Sequence, residues 1–392
     1  MPRTQVAIVG AGPAGLMLSH LLALAGVESV VLESRDRAYV ERRVRAGVLE
    51  QGSVDLLRAT GVGERLTRDG LVHHGIELRF EGRRHRIPLS DLTGGRAITV
   101  YGQQEVVKDL IRARLEAGGP ILFDAEAVGI DDLMSGTPVV RYRHAGGVQE
   151  LRADFVAGCD GFHGVCRGAI PDGVLTEYER EYPFAWLGIL AAVAPSTDEL
   201  IYAYHDRGFA LHSLRSPEIS RLYLQVRPDE VLDNWPDERI WQELRTRLAT
   251  TDGWTLRDGP TLEKGITTMR SFVVEPMQYG RLFLAGDAAH IVPATGAKGM
   301  NLAIADVRVL AEALAAWYRT GQTALLEAYS ATCLRRVWRA QHFSWWMTSM
   351  LHRFEGDDRF DQRLQLSQLH YVCTSPAAAR TLAENYVGLE IV

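Results

Sequence analysis

The segment from Gln5 to Glu33 leaves this chain few folds to adopt. Gln5–Val9 is an apolar run of strand length, 14–25 is apolar at helical spacing and stops at Gly26, and 30–32 opens a second strand. Between the first strand and the helix stands Gly10-x-Gly12-x-x-Gly15. Glycines there permit a tight turn and let a pyrophosphate reach the free N–H groups at the helix N-terminus, where the helix dipole favours negative charge. Glu33 closes the second strand about 20 residues further on, where a carboxylate accepts hydrogen bonds from ribose hydroxyls. A strand–helix–strand unit with this turn and this acid predicts a dinucleotide-binding domain. The turn does not by itself decide between NAD and FAD.

Two later segments bear on that choice. Val156-Ala157-Gly158-Cys159-Asp160-Gly161 and Leu284-Ala285-Gly286-Asp287-Ala288-Ala289-His290 each place an acid after a buried strand, and Pro293 to Asn301 follows the second as a Gly-rich turn into a helix. Asp160 or Asp287 at a strand end can hold a ribityl hydroxyl. The turn supplies N–H groups that stabilise negative charge on a reduced flavin ring. From Ile76 to Val100 and from Leu187 to Val226 the pattern changes to short β-rich runs broken by Gly, Pro and Ser, and from Asn301 to about Leu351 it is helical. The expected fold class is α/β, in the α+β multidomain sense: a Rossmann-like FAD-binding domain interrupted by a β-sheet substrate domain and closed by a C-terminal helical region. The expected divisions are 1–178 for the FAD-binding domain with a β excursion at about 71–100, 179–270 for the substrate-binding sheet, 271–300 for the return to the FAD-binding domain, and 301–392 for a helical interface region.

Composition removes several alternatives. At 392 residues and 46% hydrophobic the chain can bury a large core and divide into two or three domains. A formal charge of −6 gives no electrostatic reason to bind nucleic acid or an anionic membrane. Cys159, Cys166, Cys333 and Cys373 never fall as Cys-x-x-Cys, so neither a disulfide framework nor a metal site is expected. The apolar stretch from Phe184 to Ala194 is too short to span a bilayer, and the expectation is a soluble cytoplasmic protein without an export signal.

The three-part pattern of Gly-rich turn, first acid and Gly-Asp segment resembles the FAD-dependent aromatic hydroxylases, the group A flavoprotein monooxygenases. Arg43 to Gly52, Cys159 to Gly164, Arg270 to Pro276 and Ala383 to Leu389 are most similar to members that act on 4-hydroxybenzoate, and the likeness runs from Gln5 to Leu389. The resemblance implies hydroxylation of 4-hydroxybenzoate to 3,4-dihydroxybenzoate with O2 and NADH or NADPH, through a flavin C4a-hydroperoxide, in a homodimer. Alternatives are a related hydroxylase of another ring acid such as an aminobenzoate, or a catalytically silent dinucleotide-fold binding module.

Electrophilic hydroxylation of a phenol needs a cation for the carboxylate, partners for the phenol oxygen, a proton exit and exclusion of water. Ser213 and Arg215 alternate on one strand and so point to one side, where a guanidinium fork and a hydroxyl suit a carboxylate; Tyr223 can add a third donor. Taken singly, Arg215 reads as a strand-surface charge and Tyr202 as a core-edge aromatic. The resemblance makes Ser213, Arg215 and Tyr223 carboxylate contacts, Tyr202 and Tyr386 the phenol-side pair, and His73 the proton relay to solvent, with His74 adjacent to it. It also implies that Ala294, where a proline is common in the family, meets the substrate oxygen through its carbonyl.

For the flavin it implies Glu33 at the adenosine ribose, Arg45 and Gln103 at the pyrophosphate and ribityl chain, Asp160 and Asp287 at strand ends, and Arg43, Lys298, Gly299 and Asn301 near the cofactor. Arg221 matches an arginine that sets the position of a mobile flavin. Arg43, His163, Arg167 and Arg270 match nicotinamide-nucleotide contacts. Ser34 stands where NADPH-preferring members carry arginine, and Asp36 repels a 2′-phosphate, so NADH or dual use is expected. Cys159 and Cys166 are expected to be buried thiols without a catalytic part.

Overall fold

The computed structural model describes residues 2–43 and 47–388. Arg3–Val9 lies at the centre of an eight-stranded sheet, parallel to Ser29–Leu32 on one side and Gly147–Gly158 on the other. Leu282–Leu284 continues the parallel order beyond Gly147–Gly158, and Ile121–Leu122 continues it beyond Ser29–Leu32. Val9 therefore pairs with Leu32 and Gly158, and Gly158 with Leu284, which aligns the carboxyl ends of four strands along one edge.

The helix Pro13–Leu24 starts with Pro at its first turn, where no N–H is needed and the fixed φ is already helical. Leu16, Met17, Leu18 and Leu22 are fully buried, each contributing about 2 kcal/mol by the area removed from water. The helix is covered by Gln103–Glu116 and Gly299–Thr320, which explains why it is apolar nearly all round.

A second eight-stranded sheet runs in the order His290–Ile291, Thr261–Glu275, Thr176–Ala191, Ile219–Val226, Ala210–Ser216, Leu200–Ala203, Ile76–Phe80, Arg83–Ile87. Its strands alternate cleanly. Phe184, Trp186, Leu200 and Tyr202 pack on one face with Phe343, Met347, Leu369 and Tyr386 of the C-terminal helices, whereas Ala185, Leu187, Ile201 and Ala203 pack on the other with Ile240 and Leu244 of the helix Asp237–Arg247. Between the two sheets Leu71–His73, Val48–Leu49 and Ile98–Val100 form a three-stranded sheet.

The expected divisions at 178/179 and 270/271 fall inside Thr176–Ala191 and Thr261–Glu275. These two strands pair from Thr176–Glu275 to Ala191–Thr261, so the passage between the two sheets is one continuous antiparallel ribbon. The β excursion at 71–100 divides as well: 76–87 joins the second sheet and the rest forms the small one. After Gly299–Thr320 come the helices Ala324–Leu351, Arg359–Thr374 and Pro376–Val387. No helix of the described residues is long and apolar enough to cross a membrane.

Candidate active site

At the aligned strand ends the chain forms a cradle for a dinucleotide. Gly10 has φ +104°, and a side chain there would strike the Cys159 carbonyl; one on Gly15 would strike the Gly10 carbonyl. Both glycines are thus required by close backbone approach. Glu33 Oε2 accepts from the Ala11 N–H at 2.7 Å and Oε1 from the Arg35 N–H at 2.9 Å, which fixes the carboxylate beside the turn. Asp160 accepts from the Cys166 N–H at 2.9 Å through Oδ2, while Oδ1 is buried without a hydrogen bond among the described residues. Burial pushes the Asp160 carboxyl up from the usual range. Asp287, at the end of Leu282–Leu284, is exposed. Cys159 and Cys166 are buried, and desolvation raises both thiols, which keeps them protonated and inert.

Beside the cradle opens a cleft of about 490 Å³, counted out to where it meets solvent. The second sheet supplies Trp186, Tyr202, Leu211, Ser213, Arg215, Arg221 and Tyr223, and Gly47, Val48, Val100, Ala294 and Ala297 close it from the cradle side. Tyr202 lies opposite Leu211, so Arg215 begins roughly 13 Å further along the strand. Ser213 and Arg215 both line the cleft, as their alternation predicts. Leu214 lines it too, next to the point where the register with Ile219–Val226 shifts between Leu214 and Ser216. Desolvation lowers the Arg215 guanidinium from its ordinary value, with Tyr223 partly opposing it. Arg221 donates from Nε to Tyr223 Oη at 3.3 Å, and its Nη1 is buried without a hydrogen bond among the described residues. The cleft thus concentrates under-solvated positive charge, a setting for a carboxylate.

The structure brings the two tyrosines together: Tyr202 Oη and Tyr386 Oη share a hydrogen bond, with both side chains almost fully buried. Burial raises both hydroxyls, so both stay protonated at neutral pH. His73 is the inward-facing member of its pair at 1% exposed, whereas His74 is exposed and bonded to Ser90 Oγ at 2.8 Å. Desolvation lowers His73 from the ordinary imidazole value to about 4. Neither of its ring nitrogens has a hydrogen bond among the described residues. Tyr202 and Tyr386 are therefore brought together, and His73 is not bonded directly to either.

The FAD binding domain family matches residues 3–344. The chain is 50% identical over 387 residues to p-hydroxybenzoate hydroxylase of Acinetobacter baylyi, covering 99% of this chain and 96% of that protein. The chain belongs to the p-hydroxybenzoate hydroxylase family of FAD-dependent aromatic hydroxylases. It is also 27% identical to 3-(3-hydroxy-phenyl)propionate/3-hydroxycinnamic acid hydroxylase of Mycobacterium avium over 80% of this chain and 55% of that protein. The fold matches that of p-nitrophenol 4-monooxygenase from Pseudomonas putida with a TM-score of 0.86, at 20% identity and full coverage of both chains.

This hydroxylase uses FAD as its cofactor and a nicotinamide nucleotide as co-substrate. The cradle fits FAD: the close-approach glycines leave backbone free for a pyrophosphate, and the orphaned Asp160 oxygen and exposed Asp287 stand at strand ends. On sequence alone Lys298 and Asn301 face the flavin; in the fold both side chains are committed elsewhere. Lys298 Nζ meets Glu50 Oε1 at 2.6 Å, the Asn385 carbonyl at 2.5 Å and the Tyr386 carbonyl at 3.1 Å. Asn301 accepts from the Glu50 N–H and Ser53 Oγ and donates to the Val48 and Ala297 carbonyls. Glu50, which also takes Arg336 Nη2 at 2.5 Å, is the hub that fastens the segment carrying Tyr386 to the turn before Gly299–Thr320. Burial lowers the Lys298 ammonium, with Glu50 opposing. Gly299 begins that helix, so its N–H and those around it remain the groups able to face a ring.

Arg167, Arg270 and His163 converge on one ring. The guanidinium carbons of Arg167 and Arg270 each lie 4.8 Å from the Phe162 centroid, and His163 meets it edge-on at 5.0 Å. Arg167 is a brace as well, donating to the Ala288 and Phe162 carbonyls at 3.1 and 2.9 Å. Arg43 is exposed at the end of the helix Arg37–Arg42, and Arg45 lies outside the described residues. Gln103 opens the helix Gln103–Glu116. Among the described residues no group of three His, Cys, Asp or Glu side chains is placed to hold a metal.

Glu50, Trp186, Leu200 and Leu211 belong to the site and go unmarked by sequence reasoning. A lone acid within Arg43–Gly52 was a usable signal for Glu50, since a buried carboxylate demands basic partners. Its partners lie some 250 residues away along the chain, and no local spacing announces them.

Proposed function

We propose that this hydroxylase converts 4-hydroxybenzoate to 3,4-dihydroxybenzoate. One atom of O2 enters the ring and the other leaves as water, while NADH or NADPH gives up two electrons and one proton is consumed. FAD, when bound, carries those electrons and activates the oxygen. The observation that carries this reading is a single cleft with a desolvated Arg215 along the strand from a buried Tyr202–Tyr386 pair. The name of the half-identical A. baylyi relative supplies the same substrate.

In this reading Arg215, Ser213 and Tyr223 grip the carboxylate and Tyr202 meets the phenol oxygen. A hydroxyl whose own proton is held firmly by burial donates to a substrate phenolate and so favours the more nucleophilic form of the ring. Tyr386 receives the proton passed by Tyr202, and a water bridges to His73, whose two buried nitrogens require such a partner. The Ala294 carbonyl faces the same oxygen, and Trp186, Leu200, Val48 and Val100 exclude water.

Glu33 holds the adenosine ribose, Gly10, Gly12 and Gly15 the pyrophosphate with Arg43, Arg45 and Gln103, and Asp160 and Asp287 the ribityl side. Arg221 adjusts the position of the ring. Arg167, Arg270 and His163 around Phe162, with Arg43, receive the nicotinamide nucleotide. Asp36 caps the helix Arg37–Arg42 with its carboxylate on the Tyr39 N–H and stays exposed, which favours NADH over a 2′-phosphorylated nucleotide. The enzyme works in the cytoplasm as a homodimer, without membrane or nucleic-acid partners.

The test is NADH and NADPH oxidation by the flavin-loaded protein with and without 4-hydroxybenzoate, with product quantified in the same reactions. Stimulated oxidation matched by 3,4-dihydroxybenzoate is expected; no stimulation with either nucleotide, or stimulation by an aminobenzoate alone, would overturn the substrate assignment.

A further inference from the structure

The long helix Ala324–Leu351 ends against the cleft wall, and what it places there has no part in the roles assigned above. His352 is fully buried, and its ring lies nearly parallel to Phe184 at 4.4 Å and to Trp186 at 5.8 Å, and within 30° of Phe209 at 4.3 Å. Trp186 Nε1 donates to His352 Nε2 at 2.8 Å. An indole N–H can only donate, so Nε2 must be the bare nitrogen; Nδ1 carries the proton and donates to the Thr348 carbonyl at 3.0 Å. Desolvation lowers this imidazole to about 3, so that tautomer persists throughout the working pH range.

The same helix end reaches the opposite wall of the cleft. Thr348 Oγ1 exchanges a hydrogen bond with Thr295 Oγ1 at 2.9 Å, in the turn Ala294–Gly296. One turn of helix therefore joins Trp186 on the second sheet to the turn carrying Ala294 on the cradle side. Arg353 adds two further ties to the sheet, from its N–H to Gln225 Oε1 at 3.0 Å and from Nη1 to Tyr204 Oη at 3.1 Å.

We propose that His352 is a positioning residue that fixes the plane of Trp186 as one wall of the substrate cleft and sets the width of that cleft against the Ala294 turn through Thr348. Its effect on the substrate passes through Trp186, which lines the cleft; His352 itself does not. A flat wall held by stacking and two directed hydrogen bonds admits a planar ring and leaves no room for water beside it. The inference rests on the reading of the cleft as the substrate pocket.

The test is a double-mutant cycle read as the dissociation constant of 4-hydroxybenzoate, from the change in flavin absorbance of the holoenzyme, together with product formed per NADH oxidised. His352→Phe keeps a stacking ring and removes the acceptor. It is expected to weaken binding about tenfold and lower the product yield in the otherwise native enzyme, yet change binding less than twofold in a Trp186→Phe background. His352→Gln, which returns an acceptor, is expected to recover most of the loss and serves as the check that the position tolerates substitution. Equal effects of His352→Phe in both backgrounds, or none in the native one, would overturn the proposal while Arg215→Ala still weakens binding. An Arg215→Ala enzyme with unchanged affinity would instead bring down the reading of the cleft, and this inference with it.

Discussion

The two large sheets present their ligand groups in opposite ways. On the cradle sheet the contacts stand in turns at strand ends: Gly10 to Gly15 after the first strand, Glu33 after the second, Asp160 and Asp287 after two others. On the second sheet they stand along the strands, Tyr202, Ser213, Arg215, Arg221 and Tyr223 projecting from one face. A turn offers backbone N–H groups and close approach, which suits a pyrophosphate common to many enzymes. A strand face offers side chains at fixed spacing, which suits discrimination among small rings. The first depends on what a residue lacks and the second on what it carries, so the two should break differently.

The largest break is on the cradle side. Gly15→Val puts atoms into the Gly10 carbonyl and the Ile8 side chain, and the purified protein is expected to retain essentially no FAD, read as flavin absorbance per protein. Retention of full flavin would dissolve the contrast. On the second sheet Arg215→Ala should leave flavin content intact and weaken 4-hydroxybenzoate binding by a factor on the order of 100 to 1,000, the cost of leaving a carboxylate half-paired. Tyr202→Phe should change that affinity less than threefold and lower product formation about 100-fold, since it removes the donor to the phenol oxygen and strands Tyr386; normal coupled turnover would remove Tyr202 from the chemistry.

Acid should separate buried histidines that lack a carboxylate partner from the one that has it. His73 and His212, lowered by desolvation to about 4, and His352, lowered to about 3, are neutral in the fold and protonated in the unfolded chain below about 6.5. Unfolding then takes up protons, so stability falls as pH drops from about 6.5 toward 4, by about 1 kcal/mol per pH unit for each histidine. In the strand His290–Ile291, at the edge of the second sheet, His290 behaves oppositely: burial would lower it, but the Asp306 carboxylate at 2.6 Å prevails and raises it. Its contribution is complete below its unfolded value and is lost as pH rises through the folded one. Replacing His212 by Asn should flatten the acid limb of a melting-temperature profile, and His290→Asn should not. The smallest effect is at the exposed Asp36, where Ala should raise catalytic efficiency with NADPH a few-fold relative to NADH; an unchanged ratio would place nucleotide selection elsewhere.

Legibility in the sequence follows the same division. Gly10, Gly12, Gly15 and Glu33 lie within one strand–helix–strand unit, where spacing along the chain is nearly spacing in space. Ser213 and Arg215 were legible through period-two alternation, whereas Leu214, which also lines the cleft beside the register shift at Ser216, was not. The small sheet at 48–100 and the ribbon joining Thr176–Ala191 to Thr261–Glu275 were not, because pairing partners lie far apart and a local pattern carries no register.

The sequence by itself determined the cradle and the strand that carries the guanidinium, because each depends on neighbours within a few residues, whereas the phenol candidates Tyr202 and Tyr386 came from the family resemblance alone. Tertiary structure decided what those groups are. It brought Tyr386 to Tyr202 across 184 residues, and it turned Lys298 and Asn301 toward the segment around Glu50. It also buried His73 in place of His74 and locked Trp186 onto His352. Protonation state, ring orientation and hydrogen-bond partner all follow from desolvation and from contacts between distant segments, which exist only once both sheets and the C-terminal helices have closed on one another.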